Sequence, residues 1–262
     1  MAEPISRRCS SLLIALAVFL SLAGMAALFG HRARADAPAE PARQPNLFAT
    51  RVIRQGQDEY AGATDVTISR LNPDANFEGL SSLRLHCKDY TRLPEQSGAL
   101  IRFDLHEIPR NARVESATFR LQTFERSVTD DLLVTFHVLS RTWSADQVTW
   151  NRPAAGQVWG KAGANDSWYD RREKWESYAL FSLAQPARAW YAWDVTEAVQ
   201  YWVEQPQWNH GAKLLAYIGE RRNVQYDAFS SEAASLSDRP QLIITYTLDY
   251  SDPTPTDVPA TP

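Results

Sequence analysis

Within one short stretch the chain places four aromatic side chains among three cations: Trp168, Tyr169, Arg171, Arg172, Lys174, Trp175 and Tyr178. That mixture suits a sugar. The apolar C–H face of a pyranose can stack on an aromatic ring, while guanidinium and ammonium groups hold hydroxyls or uronate carboxylates through charge-assisted hydrogen bonds. Covering ~80 Å² of apolar surface is worth roughly 2 kcal/mol, so one such platform binds weakly. The same residues have a second reading, a long connection pinned onto its domain by its own aromatics.

Other chemistry has little to build on. Four histidines lie beyond the N-terminal segment (His86, His106, His137 and His210), and none has the H-E-x-x-H spacing of a zinc site. No G-x-S-x-G nucleophile elbow and no phosphate-binding loop occurs. A pair of carboxylates from distant strands would serve a glycoside hydrolase, and Tyr with His or Arg a polysaccharide lyase, so catalysis stands as an alternative behind a non-enzymatic expectation. His137 alternates with apolar residues and is expected on a surface or rim. Asn72, Asp74, Asn76 and Glu78 place oxygens at alternate positions before Gly79. Calcium could use them, but Asn-Pro-Asp also forms an Asx turn unaided, so no metal or cofactor is expected. Cys9 lies in the leader, which leaves Cys87 as a small buried apolar residue.

The chain has 262 residues, 44% hydrophobic and 22% charged, enough for one substantial core. All nine Trp fall between Trp143 and Trp208. Trp143, Trp150, Trp193 and Trp202 sit beside strand or helix patterning and are expected to pack; Trp159, Trp190 and Trp208 receive no assignment. The formal net charge is −4. Arg7, Arg8, Arg32, Arg34 and Glu3 all lie in the N-terminal segment, so the rest is more acidic, and no nucleic-acid partner is expected.

Arg7-Arg8, the apolar run Leu12–Phe29 and Ala33-Arg34-Ala35 read as a secretory signal peptide over residues 1–35. The alternative is an uncleaved anchor, the one way the mature chain would meet a membrane. Either way a secreted or cell-surface protein is expected. Residues 36–49 read as an Ala/Pro-rich linker, 50–248 as a single domain and 249–262 as a Pro/Thr-rich tail.

Period-two patterning dominates the domain. Leu83 to Cys87, Ala99 to Leu105, Ala117 to Thr123, Leu132 to Val138, Leu214 to Ile218 and Leu242 to Tyr246 alternate apolar with polar residues, with shorter runs at 65–68 and 225–230. Eight to ten such strands imply an all-β fold, an antiparallel β-sandwich of the jelly-roll kind. One short α-helix is expected near residues 195–204, where Val195, Ala198, Val199, Trp202 and Val203 keep helical spacing behind an Asp194–Glu197 capping box. The segment from about Gln157 to Tyr178 shows little strand period and reads as a connection.

Taken in order, these stretches resemble the DNRLRE family of secreted β-sandwich modules, also classified as carbohydrate-binding module family 96 and related to disaggregatase repeats. The resemblance rests on Asp65-Val66-Thr67-Ile68, Asn76-Phe77-Glu78-Gly79, the run Ala99 to Leu105 with Ile108-Pro109, and Val114 to Leu121. It continues through Trp143 to Asn151, Trp193-Asp194-Val195-Thr196, Asn209-His210-Gly211 and Phe229-Ser230-Ser231-Glu232. It departs at Ala145, where the family favours an acidic residue, and at Glu78 inside the Asn-aromatic-Gly loop. The resemblance implies an accessory module that binds polysaccharide, acidic in some members, or a structural or adhesion module of the envelope or matrix. Of the chain's own residues, Trp168, Tyr169, Arg171, Arg172, Lys174, Trp175 and Tyr178 are the candidate ligand contacts.

Overall fold

In the computed structural model, which describes residues 47–88, 95–127, 130–217 and 222–248, a strand forms within each alternating run. The leader, the linker as far as residue 46 and the tail lie outside the described residues. The elements are β1 (Leu47–Ile53), β2 (Ala63–Ser69), β3 (Ser82–Lys88), β4 (Glu95–Phe103), β5 (Ala112–Arg126), β6 (Leu132–Leu139), β7 (Arg171–Phe181), β8 (Trp190–Asp194), α1 (Thr196–Glu204), β9 (Ala212–Tyr217), β10 (Asn223–Phe229) and β11 (Gln241–Leu248). All pairings are antiparallel, in the order β1-β11-β5-β10-β3-β4-β9-β6-β7, with β2 on β4 and β8 on β5. The sheet curls over on itself because β5 is long enough to serve both layers. Its residues 112–120 pair with β11, and Thr123 to Arg126 pair with β10 beyond an irregularity in register. The fold is therefore an all-β sandwich, as the alternation implies.

Inward residues of both layers meet in one core, with Phe119, Phe136, Phe181, Trp193 and Tyr226 at its centre. Trp193 is 1% exposed, packs at a tilt with its ring centroid 5.3 Å from that of Phe119 and satisfies its buried N–H on the Val134 carbonyl at 3.0 Å. Trp143, Trp150 and Trp202 are equally enclosed, as their positions lead one to expect, and Cys87 is buried in the core. Trp159 joins them, satisfying its N–H on Thr149 O.

A second apolar cluster lies on the other side of the sheet. Val66, Ile68, Leu100 and Leu139 point outward there and are roofed by Trp143, Val148, Trp150, Trp159 and Ala164. The long segment between β6 and β7 thus covers part of the outer face. Gly163 makes the fit possible: its φ is +83°, and a Cβ would stand 2.6 Å from the Trp150 ring. Asn76 ties in the 72–78 loop by donating to the carbonyls of Ala145 and Val148, and Asn151 donates to Asp74 Oδ1. The oxygen-bearing loop that could have offered itself to calcium is here a clasp between loop and cover. Among the described residues no group of three or more His, Cys, Asp and Glu is placed to hold a metal ion.

Three features differ from the sequence expectations. β1 begins at Leu47, inside the expected linker, and pairs along its full length with β11. β7 occupies what reads as a connection. Its alternation is disguised by a bulge: residues 173–176 stand opposite the single His137 of β6, between the pairs Phe136–Ser177 and Val138–Arg172. The helix has no capping box, since Val195 holds the N-cap position without a side-chain bond. Asp194, one residue earlier, accepts the N–H and hydroxyl of Thr196 at 3.0 and 2.6 Å.

Candidate functional site

Trp168 and Tyr169 stand at the tip of the turn that leads from the cover into β7. Two carboxylates fix that turn from beneath. Asp170 is fully buried and accepts the backbone N–H groups of Gly160, Lys161 and Asp166 at 2.8, 3.0 and 3.1 Å. Asp166 accepts those of Trp168 and Tyr169, both at 2.8 Å, and these bonds lower its pKa. With its backbone held, the turn projects both rings into solvent: Trp168 is 84% exposed and Tyr169 66%. A turn whose backbone is already fixed loses little backbone entropy when a flat apolar face settles on its rings.

The alternation of β7 sends the other candidates to two faces. Arg171 lies opposite Leu139 and packs near His137 and Lys213, beneath the cover. Arg172 points the other way and stacks over Tyr201 of α1 at 5.3 Å. Trp175, at φ +70° on the bulge, also leans on Tyr201, with ring centroids 4.7 Å apart and Lys174 Nζ 4.7 Å above its own ring. It is half-buried against the main core and fits the packing reading. Tyr178 returns to the outer face opposite Thr135. It is 64% exposed, beside the cross-strand row Leu180, Leu133 and Tyr217. Leu139 and Thr135 are four residues apart on β6, so the turn and Tyr178 are separated by ~13 Å along the sheet. The structure places Tyr178 on the outer face of β7 and Trp168 and Tyr169 at the turn that precedes the strand, and it brings Arg172, Lys174 and Trp175 to the edge facing α1.

Beneath the cover lies a constellation that sequence spacing did not signal. His137 Nε2 is 2.8 Å from Thr135 Oγ1, and Glu176 Oε1 lies 2.7 Å from Nδ1, out of line for a hydrogen bond. Carboxylate, imidazole and hydroxyl stand in the order of a nucleophilic relay. Yet Thr135 and His137 are 6% and 3% exposed, and the threonine hydroxyl also donates to Leu215 O at 3.2 Å. Burial, then the charges of Arg171 and Lys213, push the His137 pKa down to about 3, so the imidazole is neutral. His137 is therefore an interior residue, contrary to the expected rim position, because the bulge and cover close over its face of the sheet. Its cross-strand neighbour Lys213 is likewise enclosed, donating from Nζ to Gly163 O at 2.5 Å and Asn165 Oδ1 at 2.6 Å.

A groove of about 540 Å³ lies at the C-terminal end of α1. Leu105, Ile108 and Trp202 contribute apolar surface to its lining, and Arg102, Arg110 and His106 contribute basic groups. Asp104 is tied to His106, accepting its backbone N–H at 3.0 Å, and neither arginine has a carboxylate partner among the described residues. The groove was not legible in the sequence, because Arg102 sits on β4 and Arg110 in the turn before β5, with no shared spacing.

A family model described as the disaggregatase related repeat domain matches residues 88–244, more than half of the chain and the span that includes the cover, β7 and α1. The chain belongs to the disaggregatase related repeat family. No curated protein matches it. The family span includes the aromatic turn and every Trp of the repeat domain, while β1, β2 and nearly all of β3 precede it.

Proposed function

We propose that this disaggregatase-related repeat protein is a non-catalytic polysaccharide-binding module of the DNRLRE kind, acting outside the cell or at its surface. The carrying observation is the exposure of Trp168, Tyr169 and Tyr178 on a turn and strand whose backbones are fixed from below. A connection pinned by its own aromatics would have buried those rings, as it buries Trp150 and Trp159. Acidic chains are favoured by Arg102 and Arg110 in the groove beside α1 and by the cations around Trp175. The glycan classes are compared by affinity electrophoresis through gels carrying alginate, hyaluronan or dextran. Retention by an acidic polysaccharide is expected, roughly 30-fold weaker in Trp168→Ala, since one stacked face is worth about 2 kcal/mol. The melting temperature of that variant should be unchanged. No retention by any glycan, with or without calcium, would sink the proposal.

A further inference from the structure

β3 is paired unevenly. His86–Lys88 pair with Glu95–Ser97 of β4, whereas the rest of β4 is taken by β2. The first half of β3 therefore has β10 on one side and a gap on the other, and its Arg84 N–H is satisfied by the Thr67 hydroxyl of β2 at 3.0 Å. Where β2 and β3 part, a cleft of about 140 Å³ opens. Its wall is polar yet withdrawn from bulk water: Thr67, Ser69 and His86 are each 6% exposed and Ser97 0%. Leu71 and Leu80, each about half exposed, form an apolar lip with Phe77.

The hydrogen bonding of that wall does not close. Ser97 Oγ donates to Ser69 Oγ at 2.8 Å, and among the described residues no acceptor takes the remaining hydroxyl proton. Thr67 Oγ1 accepts from Arg84 and likewise has no acceptor for its own proton. His86 Nε2 meets Asn223 Oδ1 at 2.8 Å, while its Nδ1 is buried without a partner. Such groups cost about 1–3 kcal/mol each when left dry. Arg84, the one Lys or Arg that lines the cleft among the described residues, is paired with Asp227 at 3.0 Å. A charged ligand would lose its water there without meeting a counter-charge. Hydroxyl groups, which both donate and accept, match the wall, and an enclosed cavity of ~150 Å³ is known to hold one six-membered ring.

We infer that this cleft is a second ligand site, which takes an uncharged, hydroxyl-dense group such as a single neutral sugar ring at a chain end or branch. It goes beyond the proposed platform in place and in chemistry, and Thr67, Ser69 and His86 all precede the matched family span. The test is a two-dimensional NMR titration of the ¹⁵N-labelled protein with glucose, galactose, mannose and xylose at millimolar concentration. At least one sugar should shift the amides of Thr67, Ser69, Arg84, His86 and Ser97, equally in wild type and in Trp168→Ala. Ser82→Phe, which fills the mouth, should weaken that response about tenfold. If that variant loses its dispersed spectrum, Leu80→Trp closes the lip from a half-exposed position. No shift at these amides with any of the four sugars overturns the inference, and so does a response that survives closure of the cleft. Loss of polysaccharide retention in Trp168→Ala with an intact cleft response supports both sites separately. Retention absent throughout, with the cleft responding, removes the platform alone.

Discussion

Lys213→Met tests how the cover is held. The ammonium is fully enclosed, and its two short bonds go to Gly163 O and Asn165 Oδ1, both on the cover, with the Trp150 ring 5.7 Å away. Methionine keeps the length and packing of the stem and removes both donors. Each orphaned acceptor costs about 1–3 kcal/mol, while releasing a buried ammonium from its desolvation returns part of that. A net loss of about 2–3 kcal/mol follows, which for a domain of this size lowers the melting temperature by ~5–10 °C. Calorimetry reads the total, and amide exchange reads the place: residues 160–170 should exchange faster, with β5 and β11 unchanged. The pH dependence has a definite sign. Burial, with Arg171 adding to it, lowers the Lys213 pKa well below 10.5. Between that lowered value and 10.5 the unfolded chain holds a proton that the folded chain has released, so wild-type stability rises with pH there and the methionine variant's does not. The neutral amine still has two N–H groups for its two acceptors. A variant as stable as wild type, or more stable, would refute the reasoning and show that the buried lysine is a net burden.

Three other perturbations follow from the same kind of accounting. His137→Gln keeps a partner for Thr135 but removes a group with folded pKa about 3 against an ordinary 6.5. Wild type should lose up to about 1.4 kcal/mol per pH unit from this group as pH falls from 6.5 toward 3, and urea midpoints of the variant should fall less steeply. Asp65 is buried with Oδ1 unpartnered, and burial followed by the Glu232 charge raises its pKa well above 3.8. Its folded form therefore favours the proton, so Asp65→Asn should melt higher than wild type at neutral pH, an advantage that fades as pH falls to 3.8. Gly211 has φ +74°, and a Cβ there would stand 2.2 Å from Ile101 O. Gly211→Ala should lose at least ~2 kcal/mol in chemical denaturation, whereas Gly79→Ala, where a Cβ meets open space, should lose less.

The strands that pair through alternating apolar residues were legible because one face of each is core. Ala99, Ile101 and Phe103, or Leu132, Val134 and Phe136, could face only one way. The edge strands escaped for physical reasons. β7 carries a four-residue bulge that resets its phase, and β1 gains its structure from the backbone of β11 more than from its own side chains, most of which are exposed. His137 illustrates a further limit. Its phase on β6 was read correctly as opposite to the core, but that phase says nothing about whether a distant segment lies over the outer face. Only the pairing of β6 with β9, and of Lys213 with Gly163, reveals that one does.

The same limit explains why seven neighbouring candidates scatter, with Arg171 beneath the cover and the other six divided between the outer face and the edge facing α1. In a strand, successive side chains alternate in direction, so proximity in sequence places Arg171 and Arg172 on opposite faces. Residues that share a surface come instead from the turn, where chain direction changes, and from cross-strand neighbours such as Leu133, Leu180 and Tyr217. The cover decides what remains open. By spending Trp143, Trp150 and Trp159 on the outer face of β2, β4 and β6, it leaves Trp168 and Tyr169 at its own rim, Tyr178 on the uncovered end of the sheet and the β2–β3 cleft beyond it. A roof held by the buried Lys213 and by the ties of Asn76 and Asn151 therefore sets the position of the exposed aromatic turn. If the proposed platform binds glycan, loosening the roof should weaken retention even though neither Lys213 nor Asn76 belongs to that platform.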